Sequence, residues 1–98
     1  MHVRLPTPIT VQAIHKSHTL SPEFKKIAIR KLSKITNKYR IYSIKLICDI
    51  SGQNHEIKAT IHMPMHKKIS VSAKSKQLYN TIDLICKKIK QQCEHHLD

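Results

Sequence analysis

The residues of this chain that could do chemistry are mainly cations, and most of them lie in two segments. Residues 25–40 hold seven lysines and arginines and no acid, and residues 67–90 hold seven more beside one acid, Asp83. A lysine ammonium binds phosphate as a point charge, so such clusters predict affinity for a polyanion without readout of its sequence. The candidates are Lys25, Lys26, Arg30, Lys31, Lys34, Lys38, Lys76, Lys87, Lys88 and Lys90.

The whole chain has the same excess of positive charge. Eighteen lysines and arginines stand against six acids, which gives a net charge of +12 over 98 residues. Such an excess repels itself in the compact state, and an anionic partner is the simplest reason to tolerate it. Nucleic acid, an anionic membrane surface and an acidic protein are the partner classes. One charged run is usually a solvated face, but two runs on a chain of this charge favour RNA or another polyanion.

Other kinds of site have weaker signals. Residues 93–96, Cys-Glu-His-His, carry metal-ligating types but lack the paired spacing of a structural zinc site, so we expect polar residues at a helix end and no metal. Glu56 and Asp83 are isolated carboxylates, and no phosphate-binding loop, nucleophile elbow or zinc-protease motif occurs. We therefore expect a protein that is not an enzyme and needs no cofactor.

Cysteine usage and hydropathy suggest a compartment. Three cysteines, an odd number, give no disulfide framework, and Cys48 and Cys86 alternate with apolar residues as buried thiols do. Residues 1–10 lack the apolar region of a signal peptide, and no apolar run approaches the roughly 18 residues of a membrane span. We expect a reducing, cytoplasmic location and no membrane partner.

Two helices must position the cations. Ser21-Pro22-Glu23 is a strong helix start, and apolar residues then recur every three or four positions to about Lys38. A second apolar stripe runs from Leu78 to Cys93, and we expect Ser75 to cap that helix. At about 100° per residue, one flank of the first helix carries a row of lysines, and the second helix has lysines on both flanks. Two parallel-packed helices with basic outer faces would make a broad positive groove. The residues concerned are Lys31, Lys34 and Lys38 in the first helix, and Lys88 and Lys90 on opposite flanks of the second.

The remaining segments alternate as strands do. Residues 9–15, 44–50, 57–63 and 69–74 have apolar side chains at every second position, and the turns between the last three fall at residues 51–54 and 64–67. The predicted order is β-α-β-β-β-α, an α+β fold with a four-stranded sheet and both helices on one face. We predict one domain over residues 9–96 after a flexible lead-in at residues 1–8. The scarcity of aromatic residues, 4% of the chain, argues against base stacking on the sheet.

Several motifs together resemble the short ribosome hibernation promoting factors, the proteins related to ribosome-associated sigma-54 modulation protein. The family pattern includes A-T-L/I-H, S-A-E, Y-x-A-I-D and K-L-x-R-Q, and its first helix carries K-L/F-x-K-L/I. The matching segments, which together make the resemblance specific over roughly residues 9–96, are 31–35, 59–62, 72–73, 78–84 and 88–92.

The resemblance implies a fold like that of double-stranded RNA binding domains, and rRNA binding in the small-subunit channel of tRNA and mRNA. It implies a bacterial, non-enzymatic factor of stress and stationary phase that silences translation and favours stored, paired ribosomes. A separate helper protein could complete pairing, and we expect a monomer off the ribosome. Lys31, Lys34 and Lys88 match basic positions of the pattern, and Tyr79 and Asp83 match its Y-x-A-I-D element.

The chain departs from the family pattern at several positions. Gln91 replaces the usual arginine, Glu94 a neutral or basic residue and Lys74 the usual glutamate, while His15 stands near the usual glycine. Two other functions stay open. One is a general double-stranded RNA binding module, and the other is a regulatory domain that docks an acidic protein.

Overall fold

Six elements form in the order that the sequence predicts. In the computed structural model, which describes residues 7–13 and 20–95, they are β1 (Ile9–Ala13), α1 (Pro22–Lys38), β2 (Ser43–Ser51), β3 (Asn54–Met63), β4 (Lys67–Ser75) and α2 (Leu78–His95). The predicted α+β fold with the order β-α-β-β-β-α is confirmed. Residues 1–6 of the predicted lead-in and residues 14–15 of the predicted first strand lie outside the described residues.

The strands form one mixed sheet in the order β1-β2-β3-β4. β1 pairs with β2 in parallel through the α1 crossover, and the other two pairings are antiparallel. Alternate side chains of the two central strands are fully buried under the helices, among them Ile44 and Leu46 of β2 and Ile57 and Ile61 of β3. The residues between them face away from the helices, so one face of the sheet stays open.

The two helices run parallel across the covered face. Near their N-termini the rings of Phe24 and Tyr79 meet edge to face, with centroids 5.7 Å apart. Near their C-termini the Tyr39 hydroxyl donates a hydrogen bond of 3.0 Å to Glu94 Oε1. The N-terminal ends of the two helices contact each other, and so do their C-terminal ends. The helices are therefore parallel, as predicted.

The two hairpins use different backbone solutions. Gly52 and Gln53 form the two-residue turn between β2 and β3, and Gly52 has the positive φ of +63° that favours glycine. In the turn between β3 and β4, Met65 (65°) and His66 (60°) have positive φ instead. That turn contains no glycine, so no signal in the sequence indicates its left-handed backbone.

Helix capping follows the prediction in α1 and departs from it in α2. Ser21 Oγ accepts a hydrogen bond from the Phe24 amide at 3.1 Å, as an N-cap does. Ser75, predicted to cap the second helix, instead ends β4, because its pairing with His55 keeps it extended in the sheet. Its hydroxyl accepts from the Gln77 amide at 3.3 Å, and the Gln77 carbonyl accepts the amide of Thr81. Gln77 therefore holds the cap position.

Candidate nucleic-acid interface

A groove between the two helices brings cations of both together. Its walls carry Lys31, Lys34 and Lys38 from α1 and Lys90 from α2, and it encloses about 250 Å³. Helical residues three, four or seven positions apart share a face, which is why Asp83, Cys86 and Lys90 line the same wall. We call these six residues, together with Ile35 and Tyr39 at the groove floor and end, the helix groove. The predicted positive groove is present.

One ion pair spans the helix groove. Lys31 Nζ lies 2.7 Å from Asp83 Oδ1, and both side chains are well exposed, at 39% and 60%. The hydrogen bond to Asp83, and then its charge, raise the pKa of Lys31. An exposed pair of this kind contributes little to folding. Its consequence is local: Asp83 holds the Lys31 ammonium in the groove and offsets part of its charge.

The end of the helix groove is held by Tyr39. Its side chain is buried at 4% exposure, and its hydroxyl donates to Glu94 across the two helices. Desolvation, then the hydrogen bond to Glu94, raises the pKa of Tyr39, so the phenol stays a donor at neutral pH. Lys38 Nζ lies 5.4 Å from the centre of the Tyr39 ring, within range of a cation–π contact. Tyr39 thus links the two helices by its hydrogen bond to Glu94, and its ring contacts the Lys38 ammonium of the groove.

Cys86 is the uncharged member of the groove wall. It is half-buried, whereas Cys48 is fully buried as predicted, and all three cysteines are free thiols. Desolvation raises the pKa of Cys86 to about 11, so it is a thiol at neutral pH and a poor nucleophile or metal ligand. Across residues 7–13 and 20–95 no three His, Cys, Asp or Glu side chains converge on a possible metal position. His96 of the Cys-Glu-His-His run lies outside those residues.

Lys88 lies away from the groove. Its ammonium donates a hydrogen bond of 2.5 Å to the Ser72 carbonyl on β4. Two residues on, Lys90 lies about 200° around the helix and faces α1 instead. The structure thus places Lys90, and not Lys88, in the groove with Lys31 and Lys34. The RNA contact at Lys88 that the resemblance implied stays a prediction.

The other candidate residues are dispersed. Six are exposed and outside the groove lining, and Tyr79, 46% exposed, packs against Phe24 at the N-terminal end of the helix pair. Sequence reasoning missed Tyr39 and Glu94, which meet although 55 positions separate them. The only signal for Tyr39 was an aromatic residue directly after Lys38. The six exposed candidates are Lys25, Lys26, Arg30, Lys76, Lys87 and Lys88.

Among the residues that the structure describes, no helix is long and apolar enough to cross a membrane.

Known proteins share both the sequence pattern and the fold. The sequence model of the sigma 54 modulation protein / S30EA ribosomal protein family matches residues 9–98. A ribosomal subunit interface protein from Coxiella burnetii is 21% identical with a TM-score of 0.79, over 92% of this chain and 97% of that chain. The N-terminal domain of Protein Y from Thermus thermophilus is 12% identical with a TM-score of 0.75, over 93% of this chain and 98% of that chain. No curated protein sequence matches the chain. Because the family's sequence model matches nearly the whole chain, the protein belongs to the sigma 54 modulation protein / S30EA ribosomal protein family.

Proposed function

We propose that this protein is a ribosome hibernation factor that binds rRNA of the small subunit in the channel of tRNA and mRNA, inhibits translation and promotes stored, paired ribosomes. Family membership supports the ribosome as the partner, and the similar Coxiella burnetii protein is described as a ribosomal subunit interface protein. The single observation that carries the proposal is the helix groove, where four lysines of two helices converge.

The proposed mechanism is steric and electrostatic. The groove ammonium groups of Lys34, Lys38 and Lys90 neutralise rRNA phosphates, while Asp83 and Tyr39 hold the lysines beside them in place. The folded body, 46 × 27 × 20 Å across its Cα trace, then occupies space that tRNA and mRNA need. No bond is made or broken in this mechanism. The proposal includes a cytoplasmic location, which follows from a ribosomal partner, and a monomer off the ribosome.

Two alternatives make different predictions. A general double-stranded RNA binding module would bind a plain duplex as tightly as a ribosome. A regulatory domain for an acidic protein would bind RNA poorly at physiological salt. The paired state of the ribosomes, and any helper protein that completes it, belong to the proposal as further steps that the helix groove does not itself perform.

Co-sedimentation with small ribosomal subunits through a sucrose gradient at physiological salt tests the proposal. We expect the protein to travel with the subunit, to be displaced by tRNA and to ignore a plain RNA duplex. Equal binding to the duplex and the subunit would contradict the proposal and support the alternative, a general double-stranded RNA binding module. Binding to neither would overturn the proposal in favour of an acidic protein partner.

A further inference from the structure

The open face of the sheet carries a second basic surface. Lys45 of β2, Lys58 of β3 and Lys68 of β4 are exposed and alternate with residues that are buried under the helices. They therefore point away from the helix groove, on the opposite side of the molecule. Hydroxyl side chains lie beside them, together with Ile47 opposite Lys58 and His62 opposite Lys68. We call this set the sheet surface: Lys45, Lys58, Thr60, Lys68, Ser70 and Ser72.

Strand register brings these residues together. Lys45 lies opposite Thr60, which lies opposite Ser70, and in the adjacent row Lys58 lies opposite Ser72. Neighbouring strands are about 5 Å apart and alternate residues about 7 Å apart, so adjacent ammonium and hydroxyl groups lie within reach of one phosphate. Lys58, Thr60, Ser70 and Ser72 border a shallow, open depression of about 320 Å³ between β3 and β4.

The charges of the sheet surface are not neutralised by neighbouring acids. Across the three rows that contain Lys45, Lys58 and Lys68, no position of β2, β3 or β4 holds an acid. Among the described residues, none of these three lysines forms an ion pair. Asp49 and Glu56 lie in the next row, toward the β2–β3 turn, and bound the surface at that end. Three uncompensated cations that share one face repel each other, and an anionic ligand relieves this repulsion.

We propose that the sheet surface binds a second RNA phosphate backbone, so that the domain lies between two RNA segments, one on each face. This inference rests on the proposed function and extends it, because a body enclosed in an rRNA channel meets RNA on opposite sides. The Cα trace is only 20 Å thick, so one domain brings the two segments close together. The exposed imidazole of His62, opposite Lys68, is the one aromatic ring in these three rows, and the lysines and hydroxyls suit phosphate and ribose oxygens.

Lysine footprinting on the unmodified protein tests the proposal directly. The free protein and its complex with small ribosomal subunits are acetylated briefly, and the modification of each lysine is measured by mass spectrometry. We expect protection of Lys45, Lys58 and Lys68 as well as of the groove lysines. Protection of the groove lysines alone would overturn the second surface and leave the proposed function intact. Failure of the protein to bind the subunit would contradict both the second RNA surface and the proposed function.

Variants then identify the ligand as phosphate. The triple variant K45Q/K58Q/K68Q should bind small subunits about 10- to 100-fold more weakly near physiological salt, with a salt slope smaller by about 2. The matched variant K45R/K58R/K68R keeps the charge and should restore binding. Equal affinity of the glutamine variant and the parent would overturn the proposal.

A crosslinker distinguishes RNA from protein on this face. A benzophenone amino acid in place of Thr60, at the centre of the sheet surface, should join the protein to rRNA in the complex. Crosslinks to a ribosomal protein instead would overturn the claim that this surface binds RNA, even if its lysines are protected.

Discussion

At the scale of single residues, lysines that look alike in the sequence have different surroundings in and around the helix groove. Lys88 and Lys90 stand in the same turn of the same basic helix, yet one ammonium reaches the Ser72 carbonyl and the other lines the groove. Lys31 is held by Asp83, whereas Lys34 lines the same wall with no ion-pair partner among the described residues. Position around the helix, and not charge alone, decides what each lysine can do.

Lys88 and Lys90 form a matched pair for testing the groove. Lys90→Gln should weaken small-subunit binding by several-fold, because it removes a charge that faces α1 and the bound phosphate. Lys88→Gln removes the same charge from the opposite flank and should weaken binding less. The two affinities are compared by sedimentation at one salt concentration. The reverse order would show that Lys88, which matches a basic position of the family pattern, contributes more to binding than the groove lysine does.

Asp83→Asn should strengthen RNA binding by no more than about fivefold, because it releases Lys31 and removes the one carboxylate in the groove lining. Titration of labelled protein with small subunits measures this change. Glu23→Gln, which removes one acid outside the groove, is the matched control. Weaker binding of Asp83→Asn would mean that Asp83 positions Lys31 for its RNA contact.

Cys86 offers a built-in probe of the groove. Since burial raises its pKa to about 11, thiolate is scarce at neutral pH, and alkylation should be slower than that of a free thiol and should accelerate up to about pH 11. Bound small subunits should slow the reaction further. Mass spectrometry of the alkylated peptide measures both effects. Fast reaction at pH 7 would contradict a desolvated thiol, and an unchanged rate in the complex would contradict RNA in the groove.

At the scale of elements, long-range pairing and local chemistry decide different features. Ser21 caps α1 through a bond three residues away, which sequence reading captures. Ser75 is drawn into β4 by His55, twenty positions earlier, and this pairing delays the start of α2. The β2–β3 hairpin is local again, since its two-residue turn needs one left-handed residue and the only glycine of the chain stands there.

Gly52→Ala should destabilise the domain by about 1–2 kcal/mol, because a Cβ disfavours the left-handed backbone at φ +63°. No atom lies within 4 Å of a Cβ added there, so the cost is conformational and not a clash. Urea unfolding followed by circular dichroism measures it. Gln53→Ala, one residue on, is the control and should change stability little. Equal stability of both variants would contradict a left-handed turn residue.

At the scale of the whole molecule, we expect charge to dominate the proposed RNA binding. The net charge is +12, and the helix groove and the sheet surface carry cations on opposite faces, so a ligand on one face leaves the cations of the other without a partner. Each phosphate that the protein neutralises contributes about −0.7 to −0.9 to the slope of log affinity against log salt. RNA bound on both faces should therefore give a higher affinity and a steeper dependence of log affinity on log salt than RNA bound on one face.

Small-subunit affinity should fall with salt with a slope of about −3 if the groove lysines alone bind, and about −5 if the sheet surface binds as well. Affinities measured from roughly 50 to 200 mM monovalent salt give the slope. The glutamine variant of the sheet surface is the control and should return the slope to the smaller value. A slope near zero would contradict phosphate binding on either face.

The sequence by itself determined the composition, the charge, the period of each segment and hence the order β-α-β-β-β-α. These features depend on neighbours a few positions away, where capping, alternation and helical spacing act. The family motifs added the class of partner. Even the flanks of the second helix, with Lys88 and Lys90 on opposite sides, followed from 100° per residue.

Only the tertiary structure decided which of these residues meet. The register of the helix pair placed Asp83 beside Lys31 and Glu94 beside Tyr39, contacts that span more than 50 positions. The strand register gathered three lysines from three strands onto the open face. Such juxtapositions depend on how the shared core packs, and core packing depends on all the elements at once. No spacing within one segment could have specified them.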